Sequence, residues 1–102
     1  MPQRHPLIAL ADFPPGSKRA FKVGDRRVAL CNVEGKLHAI DDVCPHAGAS
    51  MAAGPLRGTT LTCPLHAIAF DVTNGAAVCP KNMDPVQSFP VFVNEGRVEV
   101  EV

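Results

Sequence analysis

Polar and apolar residues alternate in Arg97-Val98-Glu99-Val100-Glu101-Val102, the pattern of a strand with one buried face. Similar short runs recur along the chain, each closed by a turn signal. Pro6–Ala11 ends before Pro14-Pro15-Gly16, and Lys18–Val23 ends at Gly24-Asp25. Arg27–Val33 and Lys36–Asp41 flank Glu34-Gly35, which predicts a hairpin. Thr59–Thr62 and Ala67–Val72 are further short strands. Asn74-Gly75 is the strongest hairpin turn in the chain, with Ala76–Cys79 pairing back. Pro80–Pro85 is a proline-bounded loop. Gln87–Val93, the turn Asn94-Glu95-Gly96 and Arg97–Val102 form a closing hairpin. Only Ser50–Ala53 suits a helical turn. Strands of this length and spacing predict an all-β fold, an antiparallel sandwich or barrel. Between Val43 and Gly58 the texture changes to small, nearly uncharged residues, which something other than their own core must hold.

Composition narrows the function. A chain of 102 residues predicts a single domain, 1–102, with a modest core. Ten basic and ten acidic residues cancel, which argues against a nucleic-acid partner. No apolar run approaches the ~20 residues that span a bilayer, and the start of the chain lacks the apolar run of a signal peptide. A cytoplasmic, reducing location is therefore expected, and the four cysteines are better read as ligands or free thiols than as disulfides. There is no Trp and no Tyr, so any visible colour must come from a cofactor.

Two motifs flank the irregular stretch: Cys44-Pro45-His46 and Cys63-Pro64-Leu65-His66. Each supplies one thiol and one imidazole, close enough to serve a single metal centre. A proline beside each cysteine removes a backbone donor and shapes the turn. The small residues between the motifs, Ala47, Gly48, Ala49, Ser50, Ala52, Ala53 and Gly54, let backbone N–H groups come close to sulfur. Cys44, His46, Cys63 and His66 would suit a structural zinc ion, although zinc sites usually pair Cys with Cys and His with His in sequence.

The double motif, with sixteen residues from Ala47 to Thr62 between its halves, resembles the ligand pattern of Rieske iron–sulfur proteins. The likeness extends to Ala39–His46, to Cys63–Asp71 with Thr73-Asn74-Gly75, and to Ser88-Phe89-Pro90-Val91, so it covers about residues 7 to 102. The resemblance implies a Rieske domain, an antiparallel barrel or sandwich base carrying a cluster-binding subdomain at about 43–67. It implies one [2Fe–2S] cluster, with Cys44 and Cys63 on one iron and His46 and His66 on the other, the two histidines forming an exposed tip. Two thiolates and two neutral imidazoles leave the oxidised site uncharged, so it accepts an electron more readily than an all-cysteine site. High-potential members of the family carry an extra loop disulfide and hydroxyl donors two and four residues after the second histidine. Here Ala49 and Leu65 replace the cysteines, and Ile68 and Phe70 replace the hydroxyls. That departure points to the low end of the Rieske range, roughly −150 mV rather than +300 mV.

Functionally the chain resembles the ferredoxin component of bacterial ring-hydroxylating dioxygenases. The likeness implies a monomeric carrier that takes electrons from an NAD(P)H-dependent flavoprotein reductase and delivers them to a terminal oxygenase, docking at the His46/His66 tip. The alternative is the Rieske small subunit of an assimilatory nitrite reductase. An oxygenase in its own right would need a second metal site, and only His5 and His38 remain to build one. His5, expected on a mobile terminus, and His38, an ordinary strand residue, are not read as ligands. Cys31 and Cys79 are expected to be buried free thiols. Pro80, Asp84 and Pro85 belong either to a third loop screening the cluster or to a plain surface connection. Asp41, Asp42, Arg57, Asp71 and Lys81 form a charged rim near the motifs, either merely solvated or steering a partner.

Overall fold

The computed structural model describes residues 3–44, 48–65 and 68–102. Its organising strand is β3 (Arg26–Val33), in which Val28 through Asn32 are all buried. A strand buried on both faces must lie in a middle layer. Its alternate side chains point into different cores. Val28 and Leu30 join Phe13, Ala39, Phe89, Val98 and Val100. Ala29 and Cys31 join Ile40, Met51, Leu61, Phe70 and Val72, together with Cys44 and Cys63.

Three antiparallel sheets follow from this division. The middle one orders β2 (Lys18–Val23), β3, β4 (Lys36–Asp41) and β9 (Ser88–Phe89). An outer sheet orders β1 (Arg4–Ala9), β11 (Arg97–Glu101) and β10 (Val91–Asn94). The third orders β5 (Leu56–Arg57), β6 (Thr60–Thr62), β7 (Ala69–Asp71) and β8 (Ala77–Cys79). The all-β expectation is met. The helical turn expected at Ser50–Ala53 is a single 3-10 turn, Met51–Ala53. The third sheet draws on residues well past 67, because Phe70 and Val72, fully enclosed, are part of the core beneath the cysteines.

The hairpins are set by local chemistry. Lys18 pairs with Cys31 and Val23 with Arg26, and Val33 pairs with Lys36 across Glu34-Gly35. Both turn residues take positive φ, 54° and 92°, as the right-handed twist of a tight hairpin requires.

Several sequence expectations shift. Gln87–Val93 is not one strand. It breaks at Pro90, which has no N–H to donate, and the chain there leaves the middle sheet for the outer one. Phe89 pairs with Ala39, whereas Val91 pairs with Val100. Asn74-Gly75 is not a two-residue turn. The Asp71 carboxylate accepts hydrogen bonds from the N–H and hydroxyl of Thr73, which widens the connection, and only Gly75 takes positive φ. His5 is no loose end: it sits half-buried in β1 opposite Val100. The first strand stops at Ala9 in favour of a 3-10 turn at Leu10–Asp12. The two-residue β5, closed onto Thr60 through Gly58 at φ 57°, is too short to be read from periodicity.

Candidate metal centre

Cys44 follows β4 and Cys63 follows β6, so each cysteine leaves a strand and opens a loop. The two loops are built alike. The Cys44 N–H donates to the Ala49 carbonyl at 2.9 Å, and the Cys63 N–H donates to the Ile68 carbonyl at 2.7 Å. Each motif is thus pinched at its base by its own cysteine, five residues being spanned both times. His46 and His66 fall between these pinch points in sequence but lie outside the described residues. Cys44 and Cys63 are each 1% exposed and belong to one buried apolar group.

The loops meet at Gly54. A Cβ there would stand 1.7 Å from the Thr62 carbonyl oxygen and 3.2 Å from the Pro64 ring. Only glycine lets the backbone of the first loop lie against the start of the second motif. Ile68 and Phe70 are buried in the same group as the cysteines, so the positions that could carry hydroxyl donors are apolar.

A third segment covers this side of the molecule. Val86 and Met83 pack against the cysteine-bearing core. The Val86 N–H donates to the Gly75 carbonyl at 2.9 Å, and a Cβ on Gly75 would be 2.0 Å from the Val86 carbonyl oxygen. Pro80, Asp84 and Pro85 are exposed, and the segment reaches the core through Met83 and Val86.

Asp42 departs from its expected place on a charged rim. It is 1% exposed and holds the first loop from within. Its Oδ1 accepts from the Ser50 hydroxyl at 3.0 Å and from the Ala52 N–H at 2.9 Å, and its backbone carbonyl accepts from Met51 at 2.7 Å. Two cations from the middle sheet reach the same loop: Lys18 Nζ donates to the Ala52 carbonyl at 2.8 Å, and Arg27 Nη2 to the Gly48 carbonyl at 3.1 Å. No motif marked Lys18 or Arg27. They are ordinary strand residues in sequence, and only the fold brings them to the loop. Asp71 serves its own turn, and Arg57 and Lys81 are exposed. Cys31 is a fully buried thiol whose pKa is pushed up to about 12, chiefly by burial, with nearby Lys18 opposing and Asp42 reinforcing the shift. Cys79, expected to be buried, is exposed at the end of the edge strand β8.

The arrangement offers two soft sulfur donors in a dry setting, the environment of an iron–sulfur site. A sequence profile of the Rieske [2Fe–2S] domain matches residues 3–90. The chain belongs to the Rieske [2Fe–2S] domain family.

Among curated Rieske relatives, the ferredoxin component of a Ralstonia naphthalene 1,2-dioxygenase/salicylate 5-hydroxylase system is 37% identical over 91% of this chain and 89% of its own. Among solved structures, a complex of reduced oxygenase and oxidised ferredoxin of carbazole 1,9a-dioxygenase matches with a TM-score of 0.88. That match has 34% identity and covers 95% of this chain and 91% of the other. A Mycobacterium tuberculosis protein assigned as an NADH-dependent nitrite reductase small subunit matches at a TM-score of 0.87 and 26% identity, covering 100% of this chain and 96% of the other. The cofactor of this Rieske domain is a [2Fe–2S] cluster. The residues present suit such a group: two buried cysteines open equivalent loops, and in sequence a histidine follows each within three residues. Among the described residues, no helix is long and apolar enough to cross a membrane.

Proposed function

We propose that this protein is a one-electron carrier that receives electrons from an NAD(P)H-dependent flavoprotein reductase and delivers them to a terminal aromatic-ring-hydroxylating oxygenase. The observation that carries this reading is the Rieske domain itself. It has two alike, cysteine-pinched loops over a dry core, in a chain that covers 89% of a dioxygenase ferredoxin component.

Cys44 and Cys63 would hold one iron, and His46 and His66 the other. The cluster supplies one-electron redox chemistry. The polypeptide supplies the setting in which that chemistry is useful. Burial of the two sulfurs keeps water away from the iron they would bind. Ile68 and Phe70 offer no hydroxyl to stabilise added negative charge, which supports a potential near the low end of the Rieske range, roughly −150 mV. Leu65, 66% exposed, and Val43, 37% exposed, present apolar surface beside the motifs, suited to brief docking of a partner around the His46/His66 tip. The role calls for a monomer that works in the cytoplasm.

A redox titration of the purified protein, followed by visible absorption and low-temperature electron paramagnetic resonance, tests the reading. A Rieske signal with a midpoint near the low end supports it. A midpoint above about +100 mV, or a colourless zinc protein, would overturn it. His66→Ala is expected to abolish the native Rieske signal, and an unchanged spectrum would refute the ligand assignment.

The match to a nitrite reductase small subunit supports a second reading, as a stable enzyme subunit. The higher identity to dioxygenase ferredoxins favours the carrier. Pull-down from native cells separates them, since a subunit stays bound to its enzyme and a carrier elutes alone.

A further inference from the structure

We infer that Asp42 and Arg27 form a charge-paired clamp that positions the first cysteine loop and sets the reduction potential from beneath it. This rests on the Rieske reading above. Asp42 lies two residues before Cys44 and is 1% exposed, an expensive place for a carboxylate. Its Oδ1 is fully used, tying Ser50 and Ala52 across the loop. Its Oδ2 is buried and has no hydrogen-bond partner, although Arg27 Nε stands 3.8 Å away. A loop that needed only fastening would be served by Oδ1 alone. The second oxygen leaves a poorly neutralised negative charge directly behind a cysteine loop, where charge acts through a low dielectric.

Arg27 completes the device. The same guanidinium that faces Asp42 Oδ2 donates to the Gly48 carbonyl, four residues after Cys44. The Asp42 N–H donates back to the Arg27 carbonyl at 2.9 Å, which fixes the two residues to each other through the backbone as well. Asp42 opposes the arrival of an electron and Arg27 favours it, so the balance of the pair tunes the midpoint. Neither residue is a ligand; both act through the loop that carries Cys44.

The test uses the intact holoprotein and reads its midpoint and its paramagnetic resonance line shape. Asp42→Asn keeps an Oδ1 acceptor for Ser50 and Ala52 but removes the charge. It is expected to retain the native line shape and raise the midpoint. Arg27→Gln removes the opposing charge and is expected to lower it. Asp42→Ala also cuts the ties to Ser50 and Ala52, and is expected to broaden the signal and hasten cluster loss, defects that Asp42→Asn does not share. Midpoints unmoved in Asp42→Asn and Arg27→Gln, or moved in the same direction, would overturn the clamp. So would loss of the cluster in Asp42→Asn. A wild-type protein without a Rieske signal would instead overturn the functional reading on which the clamp rests.

Discussion

Gly54 shows how much can hang on one missing side chain. The first loop touches the second through its backbone, and a Cβ would overlap the Thr62 carbonyl at 1.7 Å. Because the obstacle is backbone, neither side can rotate away. Gly54→Ala is expected to cost about 3 kcal/mol or more in urea unfolding and to impair cluster incorporation, read from the iron content of the purified protein. Cys31 illustrates a different residue-scale effect. Its thiol is held protonated by burial, with a pKa raised from 9.0 to about 12. Between those values the unfolded chain loses the Cys31 proton while the folded chain keeps it, so the folded state binds more protons and stability falls as pH rises. The contribution is complete below pH 9 and is lost as pH climbs toward 12. Cys31→Ala is expected to flatten the decline of unfolding free energy over that window, an effect on the order of a few kcal/mol, measured by denaturant titrations at successive pH values.

At the scale of elements, the site is made by strands that end in loops and by a cover drawn from elsewhere in the chain. The segment after β8 returns over the cysteine-bearing core because Val86 hydrogen-bonds to Gly75, where no side chain intervenes. Gly75 also has φ of 79°, so alanine there is strained twice, by conformation and by contact. Gly75→Ala is expected to lift Met83 and Val86 from the core and to destabilise the fold by roughly 1–3 kcal/mol. The loss of visible absorption in air should become several-fold faster than in the wild type; an unchanged bleaching rate would show that the segment gives no cover. The Pro90 break belongs to the same scale. One interruption of the backbone ladder lets a single run of sequence serve two sheets, β9 beside β4 and β10 beside β11.

For the whole molecule, the three sheets enclose β3 on both faces, and Cys44 leaves the middle sheet after β4 while Cys63 leaves the third after β6, both sulfurs ending in one buried apolar group. Net charge is zero, so long-range steering of a partner is weak and apolar contact gains importance. Leu65, between Cys63 and His66 in sequence, is 66% exposed. Leu65→Ser is expected to slow electron delivery to a partner oxygenase by about tenfold, in keeping with the loss of one apolar anchor, while leaving the midpoint little changed because no charge is added. Stopped-flow reoxidation of the reduced carrier checks this; an equal rate would place docking elsewhere.

Local patterns were enough for much of this protein. The strands at Lys18–Val23 and Lys36–Asp41, the Glu34-Gly35 turn and the all-β class were legible because periodicity and turn chemistry act over a few residues. The two Cys/His motifs were legible because metal ligation demands particular side chains at particular spacings, whatever surrounds them. The burial of Asp42, the reach of Lys18 and Arg27 to the loop, the exposure of Cys79 and the fold-back of Val86 were decided only by tertiary structure. Each depends on which distant segment packs against which, and an aspartate beside a motif reads the same in sequence whether it faces water or the core. What a thiol or an imidazole can offer a metal is carried by the residue itself, whereas the environment that would tune it is assembled from residues far apart in the chain.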